Sequence, residues 1–163
     1  MLLPVTGSST GFGLALTEAA LEHGDKVVAT LRNPTILDDL ASKYGPDQLC
    51  VVKLDVTKPE EIENVFATAK RVFGRVDIVF NNAGIGAVGE IEAIPEEIGR
   101  RIFDVNFWGA ANVSKTAVRF FREENPPGVG GRLITNSSAG GFRPHALVSY
   151  YSSAKFGKHV SPL

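Results

Sequence analysis

The chain has 163 residues, 44% of them hydrophobic, with 17 Lys and Arg against 18 Asp and Glu, a formal net charge of −1. That balance leaves no basic footprint for nucleic acid, and no apolar run approaches the ~20 residues of a membrane-spanning helix. A lone cysteine, Cys50, excludes an internal disulfide framework and reads as a small buried hydrophobe.

Apolar, β-branched runs alternate with amphipathic stretches, which predicts a parallel sheet covered on both faces. Leu2 to Thr6 reads as the first strand, and Gly13 to His23 as a helix stopped by Gly24. Lys26 to Leu31 is the second strand. Pro34 to Tyr44 reads as a helix, and Leu49 to Leu54 as the third strand. Pro59, suited to a first helical turn, opens a helix to Phe73. Val76 to Asn81 is the fourth strand, and Pro95 to Glu124 is one or two helices. After a turn-rich connection, Arg132 to Asn136 is the fifth strand, and a last helix starts at Ser149. The first five residues have neither a basic nor a long apolar leader region, so a signal peptide is not expected and a cytoplasmic location is. One domain, residues 1–163, suits the length.

Two motifs carry chemistry. Thr6-Gly7-Ser8-Ser9-Thr10-Gly11-Phe12-Gly13 lies between a strand and a helix, the setting a pyrophosphate-binding loop needs. Gly7 permits a sharp exit from the strand, Gly11 a close backbone approach and Gly13 close helix–sheet packing. Ser8, Ser9 and Thr10 add hydroxyl donors. By itself the loop is equally an ordinary glycine-rich turn. Tyr151 and Lys155, four apart, share one face of a helix. A phenol's ordinary pKa is about 10, and a neighbouring ammonium favours its ionised form, so the pair suits proton transfer. Alone, the pair is also compatible with an ordinary surface helix.

These motifs, with Leu54-Asp55-Val56-Thr57, Asn81-Asn82-Ala83-Gly84, Asn106 and Ser138 thirteen residues before Tyr151, resemble the short-chain dehydrogenase/reductase family in order and spacing. The resemblance implies a Rossmann-like, doubly wound parallel sheet of order 3-2-1-4-5, with two further strands normally following. It implies hydride transfer between a nicotinamide cofactor and a small carbonyl or alcohol substrate. The catalytic set would be Asn106, Ser138, Tyr151 and Lys155. Tyr151 would be the acid/base and Ser138 would fix the substrate oxygen. Lys155 would hold the nicotinamide ribose, and Asn106 a water relay. Asp55 would accept from the adenine amino group, Val56 would pack on the ring, and Asn82, Ala83 and Gly84 would lie beside the adenosine ribose. Leu31 stands where relatives preferring NAD carry an acid, and Arg32 where relatives preferring NADP carry an arginine, so NADP(H) is expected over NAD(H). A merely solvated Arg32 is the competing reading. Homo-oligomers through the helices of Asn106 and Tyr151 follow from the same resemblance. Trp108, Val113, Phe120 and Phe121 are either interface or core.

Two departures stand out. Pro4 falls inside an expected central strand, where proline cannot donate to the ladder. Family members run to roughly 250 residues as one domain. The chain ends eight residues after Lys155, and Pro162 is expected to break the last helix. The domain is therefore expected to be C-terminally incomplete. The alternative to an enzyme is a nucleotide-binding or interaction fragment without turnover.

Overall fold

The protein is described from a computed structural model over residues 1–159. Strands β1 (Leu2–Thr6), β2 (Lys26–Leu31), β3 (Leu49–Lys53), β4 (Ile78–Asn81) and β5 (Arg132–Thr135) form one parallel sheet in the order β3-β2-β1-β4-β5. This is the expected doubly wound α/β architecture, with its ligand-binding edge at the strands' C-terminal ends.

Successive residues of a strand face opposite sides, and β2 shows it plainly. Val28 enters the core beneath helices α3 (Pro59–Phe73) and α5 (Ala110–Glu123), together with Ile62, Phe66, Val113 and Phe120. Val27 and Ala29 enter the opposite core with Leu21 of α1 (Gly11–Glu22). Phe66 and Phe120 meet with ring centroids 5.6 Å apart and so fasten α3 to α5. Helix α3 carries its own boundary signals. Pro59, Glu60 and Glu61 lie in its first turn, Lys70 and Arg71 in its last, and Gly74 closes it at φ +86°.

Several boundaries differ from the sequence reading. The helix expected over Pro34 to Tyr44 is a 3-10 turn, Pro34–Leu37, followed by the single-turn α2, Asp38–Ala41. Leu37, buried at φ −104° and ψ 14°, interrupts the helical path between the two. β4 begins at Ile78, because Val76 is clamped by Asn125, whose Oδ1 accepts from Val76 N at 3.0 Å and whose Nδ2 donates to Val76 O at 2.7 Å. The stretch from Pro95 to Glu124 is α4 (Glu96–Phe103), a π-helical segment (Asp104–Gly109) and α5, with no loop between them. The last helix, α6, spans Ser149–His159. Pro162 lies outside the described residues.

Pro4 does sit in the central strand. Leu2 points its N–H at Asp77 Oδ2 and its carbonyl at Asp77 N, both on the β4 side. Pro4, two residues on, points the same way. Its missing N–H therefore falls on the β4 side, where Val5↔Phe80 is the only registered pair; pairing with β2 runs unbroken from Leu2↔Lys26 to Thr6↔Thr30.

Candidate active site

The C-terminal ends of the strands open on a cleft of about 1020 Å³ that reaches from Arg32 and Asp55 past Gly7 to Ser138, Tyr151 and Lys155. The glycine loop forms its floor. Gly7 and Gly11 have φ +73° and +57°, values that side-chain-bearing residues rarely adopt. A Cβ on Gly13 would lie 2.1 Å from Gly7 O, so α1 can meet the loop only through glycine. Ser9, Thr10 and Phe12 line the cleft. Ser8 does not share their role: it is fully buried, donating to Val5 O at 3.0 Å and accepting from Thr30 N at 3.2 Å. Thr6 is likewise a brace, its Oγ1 accepting from the backbone N–H of Asn82 and of Ala83, each at 2.9 Å. Thr10 precedes α1 without a side-chain cap, which leaves the helix's first N–H groups to other partners.

At the β2–β3 end, Leu31 is buried and Arg32 is exposed at the cleft. Asp55 Oδ1 accepts from Thr57 N at 3.0 Å and from Thr57 Oγ1 at 2.9 Å. Burial works to raise this carboxyl, but the two Thr57 hydrogen bonds and the charges of Arg32 and Arg101 outweigh it and hold Asp55 below its ordinary value. Asp55 is therefore an ionised acceptor. Asn82 joins three strand ends: Nδ2 donates to Thr6 O at 2.9 Å, and Oδ1 accepts from Asn136 Nδ2 at 2.9 Å. Ala83 and Gly84 line the cleft beside it, as does Val56.

At the other end, α6 packs on α4 and on the π segment. Close approach is possible because Gly99 lies under the Tyr150 ring and Gly157 under the Phe107 ring, where a Cβ would come within 2.8 Å and 3.0 Å. Tyr151 is slotted between Gly86 and Gly140; a Cβ on either would come 3.3 Å from the ring. Lys155 is 3% exposed, with Nζ 5.6 Å from the Tyr151 ring centroid and donating to Asn136 O at 3.2 Å. Its partner is a carbonyl and not a carboxylate, and burial lowers its pKa. Ser138 Oγ accepts from Gly140 N at 3.1 Å, which leaves its O–H as a donor toward the cleft. Asn106 is fully buried in the π segment; its Oδ1 accepts from Ile85 N at 2.9 Å and its Nδ2 donates to Ile85 O at 2.7 Å. The side chain thus braces the loop after β4.

Glu97, Arg100 and Arg101, which the sequence reading did not assign to the site, form the rim of the cleft together with Asp104. The spacing of 97, 101 and 105 is one helical stripe, and its proximity to Asn106 was the available signal. Lys158 was also missed. Its Nζ is buried near Lys155, and burial, then the charge of Lys155, lowers its pKa to about 7. Of the four aromatic or apolar residues left open between core and interface, Val113 and Phe120 are core, Phe121 packs against it, and Trp108 is 58% exposed.

Comparison with known proteins agrees with this geometry. The family model described as short chain dehydrogenase matches residues 2–160. An uncharacterized oxidoreductase, C162.03, of Schizosaccharomyces pombe is 43% identical over 93% of the chain. The 3-ketoacyl-(acyl-carrier-protein) reductase of Brucella melitensis, solved with NADH, superposes with a TM-score of 0.87 at 28% identity, covering 95% of this chain and 64% of that one. The alcohol dehydrogenase of Thermococcus sibiricus, solved with 5-hydroxy-NADP, gives 0.88 at 25%, covering 98% and 67%. The chain spans 49% of the S. pombe protein, about half the length of the curated relatives it matches. No helix among the described residues is long and apolar enough to cross a membrane.

Proposed function

Because the chain belongs to the short-chain dehydrogenase family, we propose that it is the cofactor-binding and catalytic part of an NADP(H)-dependent oxidoreductase acting on a carbonyl or secondary alcohol. One observation carries the reading: a buried lysine without a carboxylate partner lies one helical turn from a cleft-lining tyrosine, in the cleft floored by the glycine loop.

The residues present fit a nicotinamide dinucleotide. A Cβ at Gly11 would meet nothing within 4 Å, so its backbone is open to a pyrophosphate, and Gly84 leaves room beside Lys155 Nζ, 3.6 Å from where a Cβ would stand. Asp55 and Val56 would hold the adenine, and Lys155 the nicotinamide ribose. Bound there, the cofactor supplies or receives the hydride. Ser138 donates to the substrate oxygen and fixes it against Tyr151. The Tyr151 hydroxyl gives that oxygen its proton in reduction, and its phenolate takes the proton back in oxidation. Asn106 holds Ile85 and with it the loop that carries Gly86 against the Tyr151 ring. Turnover of a ketone and aldehyde panel with NADPH tests this. Tyr151→Phe should lower the rate by about 10²–10⁴, the usual share of general acid–base catalysis. Equal rates would remove Tyr151 from the role.

Cofactor preference rests on Arg32, exposed where its guanidinium can take a 2′-phosphate, with a buried leucine in place of an acid beside it. Arg32→Ala should weaken NADPH binding at least tenfold more than NADH binding, read by cofactor fluorescence. An unchanged affinity ratio would sink the preference. Pairing of two copies through α4, α5 and α6 belongs to the same reading, supported by exposed Ile98, Trp108 and Phe156 on this part of the fold.

A further inference from the structure

We propose that Arg101 is a cofactor-binding residue that closes over the adenine base beside Asp55 and Val56. The inference rests on the cofactor reading above. It starts from the two arginines of α4, which the sequence makes look alike. Arg100 is tied down: its Nε and Nη2 donate to Glu96 Oε1 at 2.8 and 2.6 Å. Arg101 has no carboxylate partner among the described ion pairs. It is exposed and lines the cleft, one turn before Val105, which lines the same wall. A free guanidinium at the mouth of a half-apolar slot is available to a ligand.

The residues that line the cleft with Arg101 say what that ligand offers. Val56 presents an apolar surface suited to a flat ring, and Asp55 beside it is an ionised acceptor suited to an exocyclic amino group. The charge of Arg101 is felt at Asp55, as is that of Arg32, so the arginines flank one carboxylate from two elements of the fold. Their tasks differ by position. Arg32, at the end of β2, reaches the ribose side. Arg101 and Val105 line the same part of the cleft as Asp55 and Val56, which would receive the base. A planar cation over an electron-rich ring gains both stacking and cation–π attraction, and that gain is the same with or without a 2′-phosphate.

Binding alone decides the matter. NADPH and NADH are titrated by fluorescence against wild type, Arg101→Ala, Arg101→Lys and Arg32→Ala, with thermal melts as a folding control. Arg101→Ala should weaken both cofactors by the same factor, on the order of tenfold. Arg101→Lys keeps the charge and loses the plane, and should recover only part of that. Arg32→Ala should weaken NADPH alone. Loss confined to NADPH in Arg101→Ala would overturn the assignment and make Arg101 a second phosphate ligand. Unchanged affinity for both would overturn it outright. Failure of the folded wild type to bind either cofactor would instead bring down the cofactor reading beneath it, and this inference with it.

Discussion

Gly13 shows how little tolerance the glycine loop has. A methyl group there would stand 2.1 Å from Gly7 O and 2.7 Å from Asn82 Nδ2. The first neighbour is backbone, and the second belongs to the amide that ties β1 to β4 and β5, so neither can yield cheaply. Gly13→Ala should cost about 1–3 kcal/mol of stability and abolish measurable cofactor binding. Urea unfolding and NADPH titration read the two effects; a variant of unaltered stability and affinity would contradict the packing account. The role of Gly13 was legible in the sequence, because strand–glycine–helix spacing alone requires the close approach. The division of labour among its neighbours was not. Ser8 and Ser9 are adjacent and chemically identical, yet one is sealed between β1 and β2 and the other faces the cleft. Local spacing cannot tell which way a hydroxyl turns when the deciding partner, Thr30 N, is more than twenty residues away.

Helix α6 carries an internal conflict. Lys158 is brought to about 7 by its burial, then by the nearby charge of Lys155. The folded-state pKa is depressed, so between about 7 and 10.5 the unfolded chain binds a proton that the folded chain does not. Stability therefore rises as pH climbs through that window, and at pH 7 and below the penalty is complete. Lys158→Leu removes the buried amine and should stabilise the protein at pH 7 by a few kcal/mol, on the order of 2–5. The gain should shrink at pH 9. Urea midpoints of both proteins at the two pH values check the size and the trend; a gain independent of pH would refute the charge explanation. In the sequence this region showed only that Pro162 is expected to break the last helix. That reading could not reveal that the lysine points inward, since this depends on how α6 lies on α4 through Gly99 and Gly157.

At the scale of the molecule, the sheet is finished on one side more than on the other. β3 is bordered by the turn that begins at Pro34, whereas β5 pairs only with β4 among the described residues and leaves Ile134 49% exposed. A strand edge of this kind invites pairing with another chain. Trp108, 58% exposed, lies on the helical part of the fold proposed above to pair two copies. Sedimentation of the two variants separates them. Trp108→Glu should dissociate a discrete oligomer, and Ile134→Lys should suppress concentration-dependent growth without changing the discrete state. If neither substitution alters the distribution, both surfaces are simply solvated. The strand order that exposes β5 came only through the family resemblance, since alternation by itself predicts no more than a parallel sheet covered on both faces; the location of the cleft at the strand ends was readable from the motifs. The rim was not, because it depends on the angular setting of the long helical stretch from Glu96 to Glu123. Its π segment, six residues from Asp104 to Gly109, matters here as the place where one residue more than an α-helix needs is taken up. Hydrogen bonds that reach five residues back fit that extra residue into the turn, so the helices on either side keep the phase they would have without it. Glu97, Arg101 and Val105 line the cleft, while Val113, Ala117 and Phe120 enter the core. Deleting a single codon in this segment would let it close into ordinary α-helix with both flanking faces still in phase, and the loss would fall on Asn106 and its hold on the loop after β4.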